Sequence, residues 1–295
     1  MKECLQGFDP IKKSKMRSEK IGAHLAGRDI MDITAPYFTI LNREIPIYGI
    51  CFYTGILIAA FVALCICVRK EIAWYDIAYS GVFVMIGAVL GAKLLFLAVS
   101  FRQIIAEHIP FIAVLKGGFV FYGGLLGGMI GLFIYAKQFR MRIKNLCEIY
   151  ATVLPLGHAF GRLGCFFAGC CYGIPYNGIL NCTYHISMGN TPVHTPLLPI
   201  QLIEAVGLTV IFALLLTVYF KTEERCGITT VLYCVLYPLL RFTLEFFRGD
   251  TERGKYLWFS TSQWVSLIIL FGVILYLTYK IQMHKKKSTS LNVRL

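Results

Sequence analysis

The chain has 295 residues, of which 57% are hydrophobic and only 15% are charged, and its formal net charge is +13. Soluble globular proteins carry about 25% charged residues, so this composition excludes an ordinary soluble domain. The basic residues lie in short connections between apolar segments, and this placement argues against a nucleic-acid-binding surface.

The apolar residues fall in long blocks of about 20 residues or more, each sufficient to cross a hydrocarbon core of about 30 Å. The sequence therefore predicts an all-α, polytopic integral membrane protein with about seven transmembrane helices. The predicted spans are residues 45–68, 74–99, 115–135, 146–169, 197–220, 228–247 and 257–279. The fourth differs from the others because it carries His158 and Arg162 and is rich in glycine.

The spans divide the chain into a polar N-terminal arm (1–44), a transmembrane domain (45–280) and a basic tail (281–295). The arm includes a short amphipathic segment near residues 30–40 that we expect at the membrane surface. Apolar sequence begins only at residue 45, in a run too long for a signal peptide, so none is predicted. Lys and Arg cluster in alternate connections, which the positive-inside rule places in the cytoplasm. The predicted topology has the N-terminus outside and the C-terminus cytoplasmic.

Glycines mark the second and third spans. Residues 87–91 form a GxxxG pattern, which predicts close contact between helices. Seven glycines lie between residues 117 and 131. They favour either close packing between helices or a helix N-terminus that a ligand can approach closely. In the second case, the free N–H groups would face an anion. The sequence leaves both interpretations open.

The fourth span ends in GRLGCFFAGCCYG (residues 161–173), which places Arg162 among four glycines and three cysteines. An arginine at membrane depth costs roughly 3 kcal/mol or more, so it normally marks a functional site or an internal ion pair. Cys170, Cys171 and Cys182 lie near His185 and His194 in sequence, but their spacing fits no standard zinc pattern, and no metal site is predicted. A disulfide from Cys170 or Cys171 to Cys182 remains open.

Charged residues also occur in the fifth and sixth spans. Gln201 and Glu204 are three residues apart and share a helical face. Tyr237, Arg241, Glu245 and Arg248 follow at i, i+4, i+8 and i+11, so the spacing predicts one polar face directed at a cavity. Arginines that converge inside lipid favour an anionic lipid head group, because guanidinium donors pair with phosphate while the acyl tails stay in the bilayer. Transfer of a lipid fragment, lipid transport and lipid sensing all fit this arrangement.

Five stretches together resemble the prolipoprotein diacylglyceryl transferase family. They are Tyr48-Gly49, FYGGLLGG (121–128), GRLGCFFAGCCYG (161–173), PIQLIEA (199–205), and RFTLEFFRGD (241–250) with STSQW (260–264). They follow the family's order and cover nearly all of residues 45–280. The transmembrane domain would then be catalytic.

The resemblance implies a transferase that moves a diacylglyceryl group from phosphatidylglycerol to the lipobox cysteine thiol of a prolipoprotein signal peptide, releasing glycerol phosphate. It implies no metal, no soluble cofactor and no nucleic acid. The implied partners are phosphatidylglycerol, prolipoprotein signal peptides and the lipid bilayer, and the implied location is the bacterial cytoplasmic (inner) membrane.

The resemblance also assigns residues. Arg162 and Arg241 would hold the phosphate and polarise the glycerol C–O bond that the thiolate attacks. The other catalytic candidates are Tyr48, Tyr122, Tyr237 and Glu245. The other phosphatidylglycerol-binding candidates are Gly123, Gly124, Gly173, Glu204 and Arg248.

Two positions depart from the family pattern. Tyr122 stands where the family usually has histidine, and Cys165 stands where it usually has asparagine. A phenol is a weaker general base than an imidazole at neutral pH. We therefore expect a divergent but working transferase in which Tyr122 positions or helps deprotonate the thiol. The alternatives are a non-catalytic protein that binds or transports anionic lipid, and a transferase of the same fold with another acceptor.

Overall fold

The computed structural model describes residues 31–33, 36–40, 43–106, 110, 112, 114, 118–186, 191–222, 227–250 and 255–292. Each of the seven predicted spans corresponds to a helix in this part of the chain. The helices are α1 (Ile47–Arg69), α2 (Trp74–Ala106), α3 (Phe121–Gln138), α4 (Ile143–Ala168), α5 (Ile200–Lys221), α6 (Ile228–Glu245) and α7 (Thr261–Asn292). Most of the predicted arm, residues 1–30, 34–35 and 41–42, lies outside the described residues.

Five of these helices are long and apolar enough to cross a membrane: α1, α2, α5, α6 and α7. This confirms the prediction of a mostly helical membrane protein. Helix α3 is glycine-rich, and α4 contains Pro155 together with the charged signature residues. These two helices coincide with the third and fourth predicted spans, but seven crossings and the orientation of the termini stay predictions.

Three helices begin three or more residues later than the apolar blocks that predicted them. Helix α3 begins at Phe121, not at residue 115, because Gly118 has a positive φ of 58° and Val120 is extended. Helix α5 begins at Ile200, after a short strand and Pro199. Helix α7 begins only after a β-hairpin that turns at Leu257, and it continues into the predicted tail. Apolar composition alone does not show where the backbone leaves helical geometry.

The described chain forms two compact units. The second unit comprises Ile58–Leu154 and Leu214–Leu232. In it, α2 and α3 pack through glycines on both helices: a methyl group at Gly127 would lie 2.1 Å from the carbonyl oxygen of Gly87, and one at Gly91 would lie 2.3 Å from that of Gly123. The predicted close contact at the GxxxG pattern is confirmed, and helix packing accounts for Gly123 and Gly127.

Gly127→Ala is therefore expected to destabilise the protein, because its methyl group meets backbone atoms that cannot move aside. Overpacking of this kind costs about 1–3 kcal/mol or more. The matched control is Gly128→Ala on the same helix, whose methyl group would make contacts of 3.5 Å and longer. Thermal unfolding in detergent should show a lower midpoint for Gly127→Ala alone. Equal midpoints for both variants would contradict the packing.

The first unit comprises the described part of Met1–Leu57, Pro155–Ala213 and Tyr233–Leu295. Its strand β1 (Met31–Ile33) pairs in parallel with β4 (Cys182–Tyr184), and β4 pairs antiparallel with β5 (Pro196–Leu197). The hairpins β2 (Tyr37–Ile40)–β3 (Arg43–Pro46) and β6 (Lys255–Tyr256)–β7 (Phe259–Ser260) precede α1 and α7. The segment near residues 30–40 thus contains strands.

Two small apolar clusters fix the helices of the first unit. One joins α4 to the sheet through Phe166, Tyr184 and Leu197. The other joins α4 to α5 through Ala159, Ala205 and Leu208, with Leu163, Tyr237 and Leu240 packed against it. Tyr184, Leu197 and Leu208 are fully buried. This packing holds in place the helix faces that carry the charged residues.

Candidate functional site

The charged residues of the signature stretches meet in the first unit. Arg162 comes from α4, Glu204 from α5, and Arg241 with Glu245 from α6. Arg162 Nη2 lies 3.0 Å from Glu204 Oε1, and the Glu204 side chain is only 2% exposed. A buried carboxylate requires a cationic partner, and Arg162 supplies it.

Arg241 occupies the centre of this network. Its Nη2 lies 2.5 Å from Glu245 Oε2 and donates to Ser262 Oγ at 3.0 Å. Its Nη1 lies 3.9 Å from the second oxygen of Glu204. Glu204 is therefore shared by two arginines, one on α4 and one on α6, so it holds both guanidinium groups within one small volume.

Arg248 lies beyond the end of α6. The sequence spacing placed it on the helical face of Arg241, and that prediction is wrong because the helix ends at Glu245. Arg248 instead forms two hydrogen bonds with Asp250, Nε to Oδ1 at 2.8 Å and Nη2 to Oδ2 at 2.7 Å, and it stays 3.9 Å from Glu245. Burial alone would lower the pKa of Arg248, but the hydrogen bond to Asp250 raises it above its ordinary value.

The backbone of Arg248 is held by an antiparallel bridge to Gly173, the last residue of the signature. Ile174 N donates to Phe247 O at 3.0 Å, and Gly249 N donates to Tyr172 O at 3.0 Å. A methyl group at Gly173 would lie 2.4 Å from the carbonyl oxygen of Leu198. The backbone segments of Gly173 and Leu198 can approach each other this closely only because residue 173 is glycine.

Gly173→Ala is expected to displace the bridge, and with it Arg248, so a function that depends on the network should fall by about tenfold or more. Gly161→Ala is the control from the same signature, since a methyl group there would have no atom of another described element within 4 Å. Lipid-transfer rates and unfolding midpoints of both variants give the comparison. Unchanged transfer in Gly173→Ala would show that the bridge does not position Arg248.

Two donors of the network remain unused. Arg162 Nε and Arg241 Nη1 are buried and donate no hydrogen bond to any described residue. Buried donors are normally paired, so each unpaired one calls for an explanation. A guanidinium with an open donor can take up a phosphate oxygen while keeping its carboxylate partner.

Aromatic residues line the same helices. His158 contacts Tyr237 edge-to-face at 5.2 Å between ring centroids, and Tyr237 stacks on Tyr233 at 5.7 Å. Tyr48 packs beside Gly164, where a methyl group would come within 3.1 Å of its ring. His158 was not among the predicted site residues; its position one helical turn before Arg162 was the available signal.

The structure thus brings eight predicted residues together in the first unit: Tyr48, Arg162, Gly173, Glu204, Tyr237, Arg241, Glu245 and Arg248. It adds Ser262 and Asp250, which occur in the recognised stretches but were not assigned a role. Tyr122, Gly123 and Gly124 belong to α3 in the second unit. Gly123 packs there on Gly91, while the half-buried Tyr122 contacts Phe121.

The cysteines were expected to hold no metal. Cys182 Sγ donates to Leu197 O, so the disulfide left open from the sequence is not formed there. His185 and His194 are exposed and contact each other through their rings, 5.1 Å apart. Cys165, Cys170 and Cys171, however, form a group whose sulfur atoms all lie within 4.8 Å of one another. Three thiols at this spacing could hold a soft metal ion.

Residues 36–279 match the family described as prolipoprotein diacylglyceryl transferase. A phosphatidylglycerol–prolipoprotein diacylglyceryl transferase of Clostridium tetani is 33% identical over 65% of this chain and 76% of its own length. Transferase 2 of Clostridium perfringens is 28% identical over 80% of this chain and 91% of its own length. The transferase of Finegoldia magna is 29% identical over 84% of this chain and 96% of its own length. Because the family match covers residues 36–279, which is most of the chain, the chain belongs to the prolipoprotein diacylglyceryl transferase family.

Proposed function

We propose that this chain transfers the diacylglyceryl group of phosphatidylglycerol to the lipobox cysteine of prolipoproteins and releases glycerol phosphate. The observation that carries the proposal is the arginine pair: Arg162 and Arg241 share Glu204, and each retains a buried donor without a partner among the described residues. Family membership and the names of the relatives support the same activity.

The arginine pair suits the phosphate of this lipid. Phosphatidylglycerol carries one phosphodiester between its diacylglyceryl group and its glycerol head. Arg162 Nε and Arg241 Nη1 would each donate to a non-bridging oxygen of that phosphate. As the thiolate attacks the glyceryl carbon, the C–O bond breaks and negative charge grows on the departing phosphate oxygen. This charge spreads over the phosphate oxygens, so donors already positioned at the non-bridging oxygens stabilise the transition state more than the ground state.

The surrounding residues would keep this pair in position. Glu204 fixes both guanidinium groups, and Glu245 fixes Arg241 from the adjacent turn. Arg248, held by Gly173, completes the positive side of the site. Tyr48 and Tyr237 would line the space occupied by the head group. Roles for Tyr122, Gly123 and Gly124 rest on the family resemblance.

The same proposal includes the topology. All seven helices would cross the bacterial cytoplasmic membrane, with the N-terminus outside and the C-terminus cytoplasmic. The basic connection between α3 and α4 and the basic end of α7 support this orientation. Arg162, Arg241 and Arg248 then lie on the outer side, where secreted prolipoproteins present their signal peptides. A reporter enzyme that works only outside the cytoplasm should be inactive when fused after residue 295.

The decisive experiment is direct. Purified protein is incubated with phosphatidylglycerol and a lipobox peptide, and the peptide mass is followed. Addition of a diacylglyceryl group to the cysteine supports the proposal. A peptide with serine in place of that cysteine, and vesicles of phosphatidylethanolamine, are the negative controls. Binding of phosphatidylglycerol without product would instead indicate the lipid-binding alternative.

A further inference from the structure

His158 and Tyr237 form a second level of the site, one helical turn away from the arginine pair. Their rings are in edge-to-face contact, with 5.2 Å between the centroids. His158 precedes Arg162 by four residues on α4. Tyr237 precedes Arg241 by the same number of residues on α6. Residues four apart share one helical face and are separated by about 6 Å along the axis, so both rings lie on the faces that carry the arginines.

This second level matches the position of the carbon that reacts. Arg162 and Arg241 lie near the C-terminal ends of α4 and α6, where helices that cross a membrane reach the lipid head groups. With the phosphate on the arginines, the diacylglyceryl group extends toward the bilayer centre, because its acyl tails stay in the hydrocarbon. In an in-line displacement, the attacking sulfur approaches the carbon from the side opposite the departing oxygen. The lipobox thiol is therefore expected at the level of His158.

The His158 side chain is available to accept a proton. Its ring is half-buried, and its nitrogens form no hydrogen bond with any described residue. A neutral imidazole has one nitrogen with an unshared electron pair. The nearby Arg162 and Arg241 disfavour a further positive charge, so the ring stays neutral and keeps that electron pair before the lipid binds.

The carboxylates and phenols of the site are less suited to this task. Glu204 bridges Arg162 and Arg241, and Glu245 pairs with Arg241. A carboxylate that took up a proton would leave a buried arginine without its anionic partner. Tyrosine phenols are already protonated at neutral pH. An imidazole, in contrast, exchanges a proton readily in this pH range.

We propose that His158 is the general base of the reaction and accepts the proton of the lipobox thiol. The proposal rests on the transferase activity proposed above. It moves to α4 a task expected from the sequence to involve Tyr122, whose ring on α3 contacts Phe121. The phosphate of bound phosphatidylglycerol offsets the charge of the arginines, so a positive imidazolium becomes favourable enough only once the lipid is in place.

The step moves one proton and exchanges one bond. A ring nitrogen of His158 takes the thiol proton while the sulfur donates an electron pair to the glyceryl carbon, and an S–C bond forms. The C–O bond breaks, and its electron pair stays on the phosphate oxygen of the departing glycerol phosphate. The imidazolium then passes its proton to that phosphate or to water, and His158 returns to its neutral form.

His158→Phe tests the base without removing the ring. Phenylalanine can keep the edge-to-face contact with Tyr237 but has no ring nitrogen. With phosphatidylglycerol and a lipobox peptide, the purified variant should transfer about 100-fold more slowly than the parent, or slower still. Its unfolding midpoint and its binding of phosphatidylglycerol should stay near the parental values. Transfer at the parental rate overturns the proposal, and so does loss of lipid binding.

A lipobox peptide with selenocysteine in place of cysteine separates proton removal from positioning. A selenol is ionised at neutral pH, whereas a thiol is mostly protonated there. The selenocysteine peptide therefore does not need a base, and His158→Phe should modify it at a rate within about threefold of the parent. An equal loss of rate with both peptides would show that His158 only shapes the site, and it would overturn the proposal.

Tyr122→Phe is the matched variant, because it removes only a phenol hydroxyl. Its ratio of rates with the two peptides should equal the parental ratio. A ratio that changes in Tyr122→Phe but not in His158→Phe would assign the deprotonation to Tyr122 and overturn the assignment to His158. If the parent itself modifies neither peptide, the transferase proposal fails. If the parent and His158→Phe modify both peptides equally well, only the general base is refuted.

Discussion

Arg241→Ala is expected to reduce diacylglyceryl transfer by about a thousandfold or more, because it removes a donor that we propose stabilises the charge of the leaving phosphate. Arg241 contacts Glu204, Glu245 and Ser262 at once, and no other described residue joins these three side chains. The rate is measured with purified protein, phosphatidylglycerol and lipobox peptide. In cells depleted of their own transferase, the variant should fail to restore lipoprotein labelling and growth.

Misfolding must be separated from this loss, because the alanine variant leaves the buried Glu245 without its nearest cation and leaves Glu204 with Arg162 alone. Arg241→Lys is the control, because lysine keeps the charge but provides no planar pair of donors. We expect Arg241→Lys to keep an unfolding midpoint near that of the parent and still lose most of its activity. Transfer at the parental rate in either variant would refute the assignment of Arg241 to the phosphate.

Glu204→Gln should destabilise the protein by about 3 kcal/mol or more, because it removes the only carboxylate, among the described residues, that both Arg162 and Arg241 contact. The two guanidinium groups then repel each other in a buried environment. Anionic lipid should offset part of this loss, because a phosphate oxygen can occupy the place of the missing charge.

The measurement is thermal unfolding in nanodiscs of phosphatidylcholine, with and without added phosphatidylglycerol. Glu148→Gln is the matched control, a buried carboxylate on α4 in the second unit. Added phosphatidylglycerol should raise the unfolding midpoint of Glu148→Gln by no more than it raises the midpoint of the parent protein. If phosphatidylglycerol raises the midpoints of Glu204→Gln and Glu148→Gln equally, Glu204 does not mark the phosphate site.

The helices were predictable because hydrophobic length is a local property of the chain, and every apolar block became a helix. The small strands were not, because their pairing depends on distant segments: β1 pairs with β4 about 150 residues away along the chain. The start of α3 was missed for a similar reason. Residue composition does not show that Gly118 takes a left-handed conformation.

The members of the site could be predicted in part, and their pairing could not. Arg162, Arg241 and Glu204 were recognisable as costly charges in apolar helices. That Glu204 bridges both arginines follows only from how α4, α5 and α6 pack. Arg248 shows the limit of helical spacing, because its bridge to Gly173 lies after the helix has ended. The close approach of the Cys165, Cys170 and Cys171 sulfur atoms could not be predicted either, because it depends on the left-handed turns at Gly169 and Cys171.

The charge balance of the network has a consequence for turnover. Arg162, Arg241 and Arg248 face Glu204, Glu245 and Asp250, so three cations meet three anions before any lipid arrives. A phosphodiester adds one negative charge to this neutral network. The released phosphomonoester carries nearly two negative charges at neutral pH. The carboxylates should therefore repel the product more strongly than the substrate. A neutral network would thus favour rapid exit of glycerol phosphate and weak product inhibition, an advantage that three uncompensated arginines would lack.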